Sequence, residues 1–164
     1  MQTDHKLAPW VENASKEFVA EKRYLNFHMK NNGQTRKVTF YIDGQPESAF
    51  STFKIPLADE KPDWWAFRDL SRFRGKKIKL VVDRIPEDSQ GLAATEQADE
   101  VRDAEGLYKE SRRPQLYFSP RRGGCGDANG LVYHEGEYHL FFQHNPFSFD
   151  GGQNSHWGHA ISKD

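Results

Sequence analysis

Residues 113–164, RPQLYFSPRRGGCGDANGLVYHEGEYHLFFQHNPFSFDGGQNSHWGHAISKD, decide how this chain is read. Two apolar runs, 131–133 and 138–143, are rich in aromatic and β-branched residues, and His134, Glu135, Gly136 and Glu137 separate them. Strand-forming runs on either side of a short Gly-containing loop predict a β-hairpin. A third extended run, 157–162, completes a meander. The glycine-rich stretch 123–130, GGCGDANG, precedes the first of these strands. Asp127 is therefore expected in a turn at the strand's mouth, where a permissive backbone can aim its carboxylate into a cleft.

Three blocks in this region, in order, closely resemble the opening of the catalytic module of glycoside hydrolase family 32. The first is Asp127-Ala128-Asn129-Gly130-Leu131-Val132-Tyr133. The second is Glu137-Tyr138-His139-Leu140-Phe141-Phe142-Gln143-His144-Asn145-Pro146, and the third is His156-Trp157-Gly158-His159-Ala160-Ile161-Ser162-Lys163-Asp164. The family contains invertases, inulinases and levanases, which cleave β-fructosides on a five-bladed β-propeller. The resemblance implies that Asp127 stands at the position of the nucleophile in a retaining mechanism. In that chemistry one carboxylate attacks the anomeric carbon and a second, about 5 Å away, protonates the departing oxygen. It further implies that Asn129, Gln143 and Trp157 line the pocket for the terminal fructosyl unit. Amides both donate to and accept from sugar hydroxyls, and an indole offers an apolar wall with one donor.

The departures from the family pattern are specific. Where relatives carry Trp-x-Asn-Asp-Pro-Asn-Gly, this chain has Gly124-Cys125-Gly126-Asp127-Ala128-Asn129-Gly130, without the Trp, the Asn or the Pro. Glycine in two of those places is expected to loosen the segment that holds Asp127. A Trp that often precedes the third block is replaced within Asp150-Gly151-Gly152-Gln153. The family's Arg-Asp-Pro block and its Glu-Cys block, which supplies the acid/base, follow the nucleophile. Here Arg68-Asp69-Leu70 and Arg102-Asp103-Ala104 lie upstream and lack the Pro, and Cys125 has no Glu before it. The chain is thus expected to be a truncated enzyme, inactive by itself.

The N-terminal half is a different kind of sequence. Residues 1–15 are polar and read as a lead-in. In 24–29, Leu25, Phe27 and Met29 alternate with Asn26 and His28, the period of a half-buried strand. Asn31-Asn32-Gly33 signals a turn and Asp43-Gly44 a hairpin, with 38–42 before it and 48–55 returning beside it. Runs 64–67 and 78–82 supply further strands, joined by a segment in which Gly75 is placed to end one helical turn. The expectation is an all-β chain: a small jelly-roll-like β-sandwich over 16–86, a solvated linker over 87–112, and over 113–164 an incomplete first blade of a propeller. Accessory domains of this kind precede the propeller in some levanase-like enzymes.

Composition bounds the function. With 164 residues and a net charge of −1, both signs interspersed, nothing favours nucleic acid or an anionic membrane. No apolar run approaches the roughly 20 residues needed to span a bilayer. The first residues lack the apolar core of a signal peptide, although relatives of the family are often exported, so no compartment follows. One cysteine excludes an internal disulfide framework. No cofactor is expected. His134, His139, His144, His156 and His159 alternate over both faces of their strands with no completing Cys or carboxylate, so no metal site is expected either.

Blander readings stand beside each of these. Asp127 is also a natural turn former, Gln143 an ordinary exposed strand residue, and Trp157 ordinary core. Trp64 and Trp65 cannot both face a sandwich interior, and the outward one has either a sugar or a neighbouring domain to stack on. Three functional readings follow. They are the N-terminal part of a β-fructosidase, a non-catalytic carbohydrate-binding sandwich, and a degenerate remnant. The expected partners are a fructan or sucrose and, through the open blade, a second copy of the chain. Leu140, Phe142 and their neighbours are expected to present an uncovered apolar face.

Overall fold

A computed structural model describes residues 8–47, 51–147 and 154–164. It divides into two compact units, residues 1–102 and 103–164. Among the described residues its regular elements are almost all strands.

In the first unit, β1 (Trp10–Val19), β7 (Lys77–Pro86) and β3 (Arg36–Ile42) lie side by side and antiparallel. The short β4 (Gln45–Pro46) and β5 (Thr52–Ile55) both pair with β3. A second sheet sets β2 (Tyr24–Met29) between β6 (Trp64–Asp69) and β8 (Glu96–Ala98). Alternation brings Leu25, Phe27 and Met29 of the small sheet against Val38, Phe40, Phe53, Ile55, Ile78, Leu80 and Val82 of the large one, all buried. The Phe27 and Phe53 rings meet edge to face at 5.9 Å across the two layers. The two-layer β-sandwich is thus formed by the period-2 pattern, each sheet covering the apolar face of the other.

Asp43-Gly44 joins β3 to β4 with both residues at positive φ, 48° and 82°. That is the twist a two-residue hairpin needs. A single 3₁₀ turn at Ser71–Phe73 follows β6, and Gly75 at φ 80° releases the chain into β7.

Two boundaries differ from expectation. The lead-in over 1–15 is strand from Trp10 onward, paired along β7 from Pro86 to Lys77. Its polar alternation, with Asn13 at φ 52°, suits an edge strand that buries little. Residues 87–102, expected as part of a linker, belong to the first unit and contain α1 (Gly91–Ala94) as well as β8. Side chains hold them there where apolar periodicity is lacking. Lys16 Nζ donates to the carbonyls of Ala93 (2.7 Å) and Thr95 (2.5 Å). Gln97 Nε2 donates to Val19 O at 2.9 Å, and its Oε1 accepts from Glu21 N at 2.9 Å.

Asn26, read as lying on the solvent side of β2, is completely buried. Its Nδ2 donates to Glu100 O (3.3 Å) and its Oδ1 accepts from Arg102 N (3.1 Å), so the chain leaving the unit covers this face.

The second unit is a three-stranded antiparallel meander, β9 (Gly124–His134), β10 (Glu137–Asn145) and β11 (His156–Ser162). His134 pairs directly with Glu137, so the hairpin loop is two residues, Glu135 and Gly136, rather than four. Both have positive φ, 49° and 86°. Phe142, expected to be uncovered, is 5% exposed. The Phe118 ring lies 4.8 Å from it, and Gly158 on β11 leaves its ring room. Leu131, Val132, Tyr133, Tyr138, Trp157 and Ile161 do remain exposed, on both faces of the sheet.

Candidate functional site

Asp127 lies inside β9 and not in a loop before it. The strand is nonetheless irregular there. Phe141 pairs with Gly130 but Phe142 with Ala128, which leaves Asn129 as an extra residue. Phe142 pairs with Ala128 and His144 with Cys125, so Gly126 and Asp127 together stand opposite the single residue Gln143. Two bulges in succession bend and twist a strand locally and re-aim its side chains, a device common beside active sites. The glycine-rich stretch expected as a turn is thus a bulged but paired strand.

Gln143 pairs on its other side with Trp157 of β11. The register thus gathers Asp127, Gln143 and Trp157 in one row across the sheet, with Asn129 in the adjoining bulge. All four side chains belong to exposed residues, and Trp157 keeps 68% of its surface open. Gly126 lies against Gln143 so closely that a Cβ there would sit 2.9 Å from Gln143 Oε1 and 3.1 Å from Gln143 Cβ. The residue type read from sequence as a weakness is what lets the bulged strand rest on the amide.

An aromatic and imidazole layer adjoins this row. Phe141 stacks on His159 with centroids 4.4 Å apart and planes 4° from parallel, and the Trp157 ring lies 6.1 Å from Phe141. His139 Nδ1 and His159 Nε2 are 2.9 Å apart, a hydrogen bond in which one imidazole donates its N–H to the other's lone pair. Sequence reasoning weighed these histidines only as metal ligands. Their spacing, 139-141-143 on one strand and 157-159-161 on the next, was the signal that they share a face with Gln143 and Trp157. Among the described residues no group of three or more His, Cys, Asp or Glu side chains is placed to hold a metal ion.

On the opposite face His144 is partly buried, its Nε2 2.9 Å from Arg122 O and its ring 5.3 Å from that of His156. Burial holds its pKa below the ordinary histidine value, with His156 adding to the effect and the Arg122 carbonyl opposing it. The thiol of Cys125, two residues before Asp127, is pushed up by desolvation, which favours the neutral, unreactive form.

In the first unit the two tryptophans separate as alternation requires. Trp64 pairs with Met29, and Trp65 pairs with His28 on the outer side, its ring 4.1 Å from the imidazole. Both are only partly exposed, and the Arg102 guanidinium sits 5.4 Å over Trp65. No helix among the described residues is long and apolar enough to cross a membrane.

Comparison with known proteins places the resemblance on the second unit. Residues 117–164 match the family described as "Glycosyl hydrolases family 32 N-terminal domain". A levanase of Bacillus subtilis is 51% identical over 57 residues, covering 35% of this chain and 8% of its own. An extracellular exo-inulinase of Aspergillus awamori is 53% identical over 57 residues, covering 35% of this chain and 10% of its own. An invertase of Schizosaccharomyces pombe is 48% identical over 59 residues, again 10% of its length. The chain thus spans a small part, 8–10%, of these relatives. A solved glycoside hydrolase family 32 structure from Bifidobacterium adolescentis aligns with 93% of this chain and 26% of its own, at 22% identity and a TM-score of 0.36.

Proposed function

We propose that the segment resembling family 32 is the nucleophile-bearing opening of a glycosidase module acting on β-fructosides. In this reading Asp127 attacks the anomeric carbon, while Asn129, Gln143 and Trp157 form the wall and the hydrogen-bonding rim for the terminal fructosyl unit. The observation that carries the proposal is the single row of Asp127, Gln143 and Trp157 across β9, β10 and β11, in the stretch that is about half identical to a levanase, an exo-inulinase and an invertase.

Each member of the row has a physical part to play. The bulge opposite Gln143 turns the Asp127 segment away from regular pleating, so a carboxylate can leave the plane of the sheet. The Gln143 amide supplies two donors and an acceptor to vicinal hydroxyls, and the open Trp157 face takes the C–H surface of a sugar. Retaining chemistry needs a second carboxyl about 5 Å from the first to protonate the departing oxygen, and the row itself contains none. The reading therefore expects the 164-residue chain to bind a fructosyl group without turning it over.

Calorimetric titration with fructose and short levan oligosaccharides tests this directly. Trp157→Ala and Gln143→Ala are each expected to weaken binding about tenfold, the equivalent of roughly 1.4 kcal/mol. Asp127→Asn should leave binding nearly intact and produce no loss of turnover, since none is present to lose. Binding that is absent, or that ignores both substitutions, would refute the assignment of the row. Release of fructose from levan, inulin or sucrose, abolished by Asp127→Asn, would refute the claim that the chain is inactive alone.

A further inference from the structure

Beside the row of Asp127, Gln143 and Trp157 runs a chain of side-chain contacts that the proposed reaction does not use. Phe141 lies diagonally across from Trp157 in the register of β10 and β11, and His159 lies directly opposite Phe141. The Trp157 and Phe141 rings are 6.1 Å apart and tilted by 50°. Phe141 in turn lies flat on the His159 imidazole, 4.4 Å away and 4° from parallel. His159 Nε2 then meets His139 Nδ1 at 2.9 Å. The two imidazole centroids are 5.2 Å apart and their planes differ by 17°. That is the spacing a 2.9 Å hydrogen bond leaves between rings set end to end, so the N–H of one points along the lone pair of the other.

These contacts have an order. Trp157 keeps 68% of its surface open, so its orientation depends on the few groups beside it, Phe141 among them. Stacking on an imidazole fixes the plane of Phe141 only if that imidazole is itself held. The hydrogen bond from His139 holds it, because the two histidines hang from neighbouring strands whose register is regular here. His139 itself stands two places beyond Phe141 on β10, on the side away from Gln143.

We propose that His139 and His159 are positioning residues for the sugar-binding row: their shared N–H···N bond fixes the imidazole under Phe141, and Phe141 sets the angle at which the Trp157 indole meets a fructosyl ring. This rests on the reading of Trp157 as a wall of the pocket. A side chain that is ordered only on binding costs affinity, and one ordered beforehand does not. The pair therefore acts on affinity through Trp157, without touching the sugar. One ring supplies the proton and the other the lone pair, so a replacement for His139 serves only if it can do either at the place of Nδ1. The amide of asparagine can, and alanine cannot.

Titration of the whole chain with short levan oligosaccharides, alongside His139→Ala, His139→Asn and His134→Ala, tests the proposal. His139→Ala is expected to weaken binding about fivefold, and His139→Asn to restore most of the loss. The His134 ring lies 6.5 Å from that of His139 and serves as the control, so His134→Ala should bind as the parent does. A second readout is independent of sugar. The indole N–H cross-peak of Trp157 in the amide NMR spectrum, identified by its loss in Trp157→Phe, should shift in His139→Ala and return towards the parent position in His139→Asn. A parent that binds no sugar refutes the pocket, and the cross-peak still decides whether the pair orients Trp157. Lower thermal stability in His139→Ala with unchanged affinity and an unmoved cross-peak would reduce the pair to a structural prop and overturn the proposal. An equal effect of His134→Ala, or no recovery with asparagine, would do the same.

Discussion

Arg68 reaches from β6 into the interior of the sandwich to meet Glu47, and both side chains are nearly out of solvent, 11% and 9% exposed. The guanidinium lies 4.2 Å over the Phe40 ring and 5.7 Å over Phe53, and Glu47 also takes Arg72 from the surface. Burial lowers the pKa of Arg68 and Glu47 restores part of it. Removing one partner of such a pair leaves the other charge stranded, whereas an apolar replacement of similar shape removes the problem altogether. Glu47→Ala is therefore expected to destabilise the first unit by about 3–5 kcal/mol, and the double variant Glu47→Leu with Arg68→Met, which removes the pair, by much less. Urea unfolding of both variants checks the order, and equal losses would contradict it.

Asn26 offers a second test at the opposite face of the same sheet. Asn26→Ala leaves the Glu100 carbonyl and the Arg102 amide without their partner, at a cost of about 1–3 kcal/mol. The loss should be local first. Amides of residues 99–102 should exchange faster before the global midpoint moves, and unchanged exchange there would dissociate Asn26 from the exit segment.

Two histidines give the protein an acid limit. Burial holds His28 and His144 below the ordinary value of 6.5. In the window between 6.5 and each lowered folded value, the unfolded chain takes up a proton that the folded chain refuses. Stability is therefore fully present above pH 6.5 and falls as the pH drops through that window. Denaturant midpoints measured from pH 7.5 to pH 5 follow the decline, referred to the histidine value of about 6.5. His144→Gln should flatten it for the second unit, and an unaltered slope would place the effect elsewhere.

Gly158 tests the packing beneath the candidate row. A Cβ at this position would lie 2.4–2.7 Å from three atoms of the Phe142 ring. Gly158→Ala must push that ring out of its buried seat, at a cost of about 1–3 kcal/mol. Near-ultraviolet circular dichroism and thermal unfolding report the shift, and a variant as stable as the parent would mean that the ring yields freely.

The strands that were plain in the sequence are of two kinds. Leu25, Phe27 and Met29 on β2 alternate and fix their own face, whereas the runs around Leu131 and Phe141 on the meander, apolar on both faces, announce strands by their density of aromatic and β-branched residues. The pieces that were not plain hold together by hydrogen bonds from distant side chains. Neither Trp10–Val19 nor Glu96–Ala98 carries an apolar stripe, and Lys16, Gln97 and Asn26 make their tertiary contacts over 70 or more residues of chain. The bulges were invisible for a related reason. A glycine run reads equally well as a turn or as a distorted strand, and only pairing with Gln143 and Phe142 on β10 decides between them.

The anchoring of β8 beside β2 has a practical reach for anyone dissecting this chain. A piece excised at Pro86 would carry Asn26 and His28 into water and leave Lys16 with no carbonyl to grip. A cut that keeps these contacts consequently falls at Arg102, the end of the first compact unit, and not at Pro86, where hydrophobic patterning alone would put it.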